Sequence, residues 1–221
     1  MMTATCFLLL FLAVTFAHLI CEGFMLMKAR YLLKPLLIPS LIAYYLSSAQ
    51  EPNWFLLSAL FACWLGDVFL MIPDPRKTRK FFKPGLAAFL LGHIFYIAVF
   101  APYAATLDVF PVSAWLLCLI FLGMGILGFR LIAPHAGAMK KAIIAYVIVI
   151  TAMGISTVFA LGQVSLGGVI LAMTGAFIFM VSDIINAYNK FVAEIAHERI
   201  YTMSTYLLGQ FLLVQGVLLF S

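Results

Sequence analysis

Eight apolar runs of about 20 residues divide this chain, and its basic residues all lie in or at the edges of every second connector. The runs are Ala4–Ile20, Leu32–Ser48, Trp54–Ile72, Gly85–Phe100, Val112–Ile132, Ala142–Leu161, Leu166–Tyr188 and Ile200–Phe220. Cys21–Lys34 carries Lys28, Arg30 and Lys34. Pro73–Pro84 carries Arg76, Lys77, Arg79, Lys80 and Lys83. Arg130–Lys141 carries Arg130, Lys140 and Lys141, and Asn189–Arg199 carries Lys190 and Arg199. These are all 13 lysines and arginines; the connectors near Gln50, Asp108 and Gly162 hold none. Positive residues stay on the cytoplasmic side of a membrane. The alternation therefore predicts an all-α, polytopic bundle of eight transmembrane helices with both termini on the non-cytoplasmic side.

Composition excludes the other broad classes. The chain is 66% hydrophobic and 10% charged, where a soluble domain carries about 25% charge. The net charge of +5 does not indicate nucleic acid, because the bases sit in connectors rather than on one face. Those of Pro73–Pro84 serve topology and contact with anionic lipid. Cys6, Cys21, Cys63 and Cys118 are scattered without a Cys-x-x-Cys pair, so neither a zinc site nor a disulfide framework is expected. The first run lacks a basic flank and a small-residue cleavage site, and is read as a span rather than a signal peptide. Pro35 and Pro39 make the second run the one expected to be short or kinked. The 221 residues form one domain. Gly66-Asp67 and Ser182-Asp183 fall near corresponding ends of the third and seventh runs, followed after 26 residues by His93 and after 27 by Gln210. That echo suggests a four-plus-four parallel repeat.

Two carboxylates lie where a bilayer protein tolerates them least. Asp67 and Asp183 each precede the cytoplasmic end of a span by about five residues, which at ~1.5 Å per residue places both roughly 7 to 8 Å inside. An ionised aspartate at the centre of a spanning helix costs ~3 kcal/mol on insertion scales, so it is kept for a packed or water-lined interior. His93, Tyr96, Tyr146, Ser182, Asn186, Tyr206 and Gln210 occupy neighbouring depths. Ser182, Asp183, Asn186 and Lys190 recur at helical steps of three, four and seven, as do His93 with Tyr96 and Tyr206 with Gln210. These residues are expected to line one cavity, wet at its cytoplasmic mouth and apolar beyond, suited to a single-chain amphiphile.

Plainer readings stand beside this one. An intramembrane aspartate can be structural, His93 a packing histidine, Tyr146 and Tyr206 interfacial aromatics, and Ser182 a small packing residue. Ser182 has no Gly-x-Ser-x-Gly around it. Gly123, Gly125 and Gly128 mimic a dinucleotide fingerprint but lie inside a span with no strand before them, which fits helix packing. His18 and His135 lie near connector ends and are read as carrying no chemistry.

Two acids in one low-dielectric site cannot both ionise cheaply, so one keeps its proton and the other stays an anion. That division suits acid–base hydrolysis of a bond activated by protonation, with no metal or other cofactor. A proton-coupled transporter also needs intramembrane carboxylates, yet the polar residues crowd one side. A non-enzymatic lipid-binding protein needs a cavity but not two acids. A metal-dependent amidase needs more buried histidines than this chain offers.

The residues reached so far resemble the YhhN-type lysoplasmalogenase family of integral membrane proteins. The matching pieces are Lys34-Pro35; Gly66-Asp67 with Val68, Phe69 and Leu70; Ala88-Phe89 ahead of Gly92, His93 and Tyr96; Tyr146; Ser182-Asp183 with Ala187; and Met203, Tyr206 and Gln210. The resemblance implies cleavage of the vinyl-ether bond of lysoplasmalogens to a fatty aldehyde and a glycerophosphoethanolamine or glycerophosphocholine. Asp67 and Asp183 would be catalytic, Tyr146, Tyr206 and His93 would hold the proton positions, and Lys34 would meet the headgroup phosphate. The sequence does not distinguish the two acids; the working assignment gives the proton to Asp67 and the water to Asp183. The membrane would be a bacterial inner membrane or the endoplasmic reticulum, with the site open to the cytoplasm.

Overall fold

A computed structural model describes residues 2–72, 80–104 and 110–220. Arg76, Lys77, Arg79 and Asp108, used above to assign sidedness, lie outside the described residues. Among the described residues eight long helices follow one another: α1 (Met2–Gly23), α2 (Met27–Ser48), α3 (Trp54–Met71), α4 (Phe82–Phe100), α5 (Val112–Ile132), α6 (Lys140–Val158), α7 (Leu166–Phe191) and α8 (Glu198–Leu218). Six of them, all but α2 and α8, are long and apolar enough to cross a membrane. The chain has the character of a membrane helical bundle. Leu116, Leu119, Ile120, Leu122, Ile126 and Leu127 of α5 are exposed, as lipid-facing side chains are and as a water-soluble surface rarely is.

The helices form two compact units, Met1–Tyr96 and Ile97–Ser221. In the first, Leu37, Ile38, Leu41, Leu56, Ala59, Leu60 and Cys63 are fully buried. The α1–α2 connection is only three residues, closed by the Leu26 amide donating to the Cys21 carbonyl over 2.8 Å, with Met25 at φ +55°. Asn53 caps α3, its Oδ1 accepting from the amides of Phe55 and Leu56. Such a cap satisfies two of the donors that every helix start leaves without a partner. The Asn53 amide in turn donates to the Tyr45 hydroxyl of α2 over 2.7 Å. Helix α4 approaches α3 through Gly92, where an added Cβ would lie 2.7 Å from Cys63 Sγ and 3.2 Å from the Ala59 carbonyl oxygen.

Prolines shape α2 without ending it. Both lie inside a helix of 22 residues, so the second run is not short. Pro39 has no N–H to give to the carbonyl four residues earlier, that of Pro35. The Trp64 indole Nε1–H of α3 donates to that carbonyl over 2.9 Å. The donor removed by one helix is supplied by its neighbour, which lets α2 continue through its prolines.

In the second unit α7 and α8 lie backbone to backbone. A Cβ on Gly209 would fall 2.9 Å from the Gly175 carbonyl oxygen, and one on Gly175 2.8 Å from that of Gly209. Small residues allow this approach, which is how helices associate where burial against lipid gives no driving force. Ser165 caps α7 by accepting from the Gly168 amide and donates to the Leu219 carbonyl at the end of α8. Phe220 packs its ring against Phe100 and Tyr103.

Candidate active site

Each unit holds one of the two intramembrane aspartates, each fixed by a polar partner from a neighbouring helix. In the first unit Asp67 of α3 is 4% exposed and its Oδ1 lies 3.2 Å from the Lys34 ammonium of α2, itself 8% exposed. The two residues sit next to the Trp64–Pro35 hydrogen bond: Lys34 precedes Pro35, and Asp67 follows Trp64 by almost one helical turn. Two rungs therefore set the register of α2 against α3. Lys34, expected to meet a phosphate, is here engaged with Asp67. His93 and Tyr96 share one face of α4 and are fully buried.

In the second unit the Tyr146 hydroxyl of α6 donates to Asp183 Oδ2 of α7 over 2.6 Å. Ser182, one residue earlier, points elsewhere: its hydroxyl donates to the Thr202 carbonyl of α8 over 2.9 Å. Adjacent positions on a helix differ by about 100°, so Asp183 faces α6 while Ser182 fastens α7 to α8. Asn186 is half-buried one turn beyond Asp183. On α8, Tyr206 and Gln210 are buried, and the Tyr206 ring meets Phe179 edge-on at 5.3 Å. Among the described residues no three His, Cys, Asp or Glu side chains gather as metal ligands would.

A third polar group was missed by the sequence reading. His18, Glu22 and Arg30 are all buried. Arg30 Nε of α2 lies 2.7 Å from Glu22 Oε1 of α1, and His18 Nε2 lies 3.5 Å from the same oxygen. His18 was read as carrying no chemistry and Arg30 as a topology signal. The signal that could have found them is spacing: His18 and Glu22 are four apart, as are Arg30 and Lys34, and each pair falls on one helix face.

What these residues can do chemically is donate and accept protons inside the hydrophobic layer and hold a positive charge against a carboxylate. The chain is 27% identical over 186 residues to lysoplasmalogenase TMEM86B of Mus musculus, covering 84% of this chain and 73% of the relative. It is 30% identical over 155 residues to lysoplasmalogenase TMEM86A of Homo sapiens, covering 67% of this chain and 58% of the relative. No solved structure matches it. The family model described as the YhhN family matches residues 29–217, from α2 to the end of α8 and including both aspartates, and the chain belongs to that family.

Proposed function

We propose that the protein is a membrane hydrolase that cleaves the vinyl-ether bond of lysoplasmalogens, releasing a fatty aldehyde and a glycerophosphoethanolamine or glycerophosphocholine. The observation that carries the reading is that Asp67 and Asp183, both inside membrane-type helices, are each held by a fixed polar partner. Lysoplasmalogenase relatives supply the substrate class.

The chemistry follows from the bond. An acid protonates the β-carbon of the enol ether, and the α-carbon becomes an oxocarbenium ion. A carboxylate stabilises that cation and takes a proton from the water that adds to it. The resulting hemiacetal collapses to aldehyde and alcohol. No metal is required by any step. The partners favour one division of labour. Two unit charges ~4 Å apart interact by on the order of 4 kcal/mol at an effective dielectric of ~20, before desolvation. A hydrogen bond to a charged group contributes ~1.5 to 3 kcal/mol. Asp67 has an ammonium as its neighbour and Asp183 a phenol. We therefore assign cation stabilisation and water to Asp67 and the proton to Asp183, reversing the working assignment. Tyr146 positions Asp183. His93, Tyr96, Asn186, Tyr206 and Gln210 are supporting groups in this reading. The reading also takes all eight helices as spans, with the odd-numbered connectors cytoplasmic and both termini outside, and keeps the four-plus-four repeat.

Purified protein incubated with a lysoplasmalogen should release aldehyde. Asp67→Asn and Asp183→Asn should each lower turnover by ~10² to 10⁴ with expression intact. If the two carboxyl groups act on one substrate, the double variant should lose little more than either single one. Wild-type rates in both single variants would remove the catalytic reading.

A further inference from the structure

Helix α1 carries a polar stripe that the proposed reaction does not use. Thr15, His18 and Glu22 follow at steps of three and four on an otherwise apolar helix, so they share one face. His18 has no exposed surface, and Glu22 is 6% exposed. Glu22 is compensated by Arg30 at 2.7 Å. Arg30 and Lys34 lie one turn apart on α2, and Lys34 reaches Asp67 at 3.2 Å. Two ion pairs, Glu22–Arg30 and Lys34–Asp67, thus lie one turn apart along α2 beside the stripe.

Among the described residues, and besides the ion-paired Glu22 Oε1, two kinds of polar atom on it lack a hydrogen-bond partner. They are the His18 ring nitrogens, of which only Nε2 has even the 3.5 Å approach to Glu22, and the hydroxyl oxygen of Thr15. Leaving a buried donor or acceptor unsatisfied costs ~1 to 3 kcal/mol, and native interiors avoid this with bound water. The charges say which occupant fits. Two carboxylates, Glu22 and Asp67, are matched by two cations, Arg30 and Lys34, so neither a cation nor an anion is called for. A small neutral molecule that both donates and accepts satisfies an imidazole and a hydroxyl together.

We propose that Thr15 and His18 hold a buried hydration site in the first unit and that this site supplies the water consumed at Asp67. The second half rests on the reading of Asp67 as the carboxylate at which water adds.

Hydroxyl-radical footprinting of the detergent-solubilised wild-type protein in heavy-oxygen water reads the site directly, because radicals born from bound water oxidise the side chain that touches it. His18 should take up heavy oxygen despite having no exposed surface, and Thr15→Val, nearly isosteric, should lower that uptake several-fold. An unlabelled His18 would overturn the hydration site. In turnover with lysoplasmalogen, Thr15→Val should lower kcat about 10-fold and leave KM unchanged, since the substrate still binds. A labelled His18 with unchanged kcat in Thr15→Val would overturn water supply alone. Wild-type turnover in Asp67→Asn would instead overturn the reading of Asp67, while His18 labelling would still decide the hydration site.

Discussion

Trp64 donates its indole N–H to the Pro35 carbonyl over 2.9 Å, and that carbonyl lacks its helical partner because residue 39 is proline. The bond is a compensation, and it sits one residue from Lys34 and three from Asp67. Trp64 is accordingly a positioning residue for the ion pair. Trp64→Phe should cost ~1 kcal/mol by leaving a half-buried carbonyl without a donor. Pro39→Ala restores an N–H at the position that can bond Pro35 within the helix. In that background the cost of Trp64→Phe should shrink to the lost ring packing. A double-mutant cycle on thermal unfolding in detergent measures the coupling. Additive effects would show that the two residues are not linked through the Pro35 carbonyl.

Lys34 and Asp67 form a buried ion pair, so removing one partner should be worse than removing both. Lys34→Met strands the carboxylate and should destabilise by ~3 to 5 kcal/mol. Adding Asp67→Asn to Lys34→Met should recover much of that stability but none of the turnover. Unfolding and aldehyde release, measured on the same samples, separate the two effects. Recovery of activity together with stability would mean that the pair serves only the fold.

The helices were legible because a bilayer dictates the length of an apolar run. Each of the eight runs became a helix, with ends displaced by a few residues. The displacement matters at the first connector. Cys21–Lys34 was read as a loop carrying charge, whereas helix covers all of it except Phe24, Met25 and Leu26. Arg30, counted as a topology signal, is therefore helical and buried against Glu22 of α1. The sequence also placed Ser182 and Asp183 on one polar face, although neighbouring positions diverge and the two residues serve different helices. Pro35 and Pro39 were read as a weakness in the helix. What no one-dimensional pattern displays is a donor arriving from 29 residues away.

Chelation offers a separate check on the chemistry. Protonation of an enol ether and capture of the cation need a carboxylic acid, a carboxylate and water, each available from this chain and solvent. Prolonged treatment with a strong chelator, followed by assay in metal-depleted buffer, should leave aldehyde release unchanged. Loss of turnover that returns with one divalent ion would replace acid–base hydrolysis with metal-assisted hydrolysis.

The α7–α8 contact sets how Ser182 meets Thr202 and which way Asp183 then faces. It depends on Gly175 and Gly209, each of which would drive a Cβ to within 3 Å of the other's carbonyl oxygen. The obstructing atoms are backbone, which cannot rotate away as a side chain can. Gly209→Ala should therefore separate the helices and cost ~1 to 3 kcal/mol or more, as overpacking does. Gly123, whose added Cβ would meet nothing within 4 Å, is the control: Gly123→Ala removes a flexible residue from α5 and should be neutral or stabilising by up to ~1 kcal/mol. Thermal unfolding followed by size-exclusion of the detergent-solubilised variants ranks them. Because Asp183 sits on the helix that moves and Tyr146 does not, Gly209→Ala should also lower kcat more than it raises KM. Equal stability of the two alanine variants would show that the close approach of α7 and α8 contributes nothing.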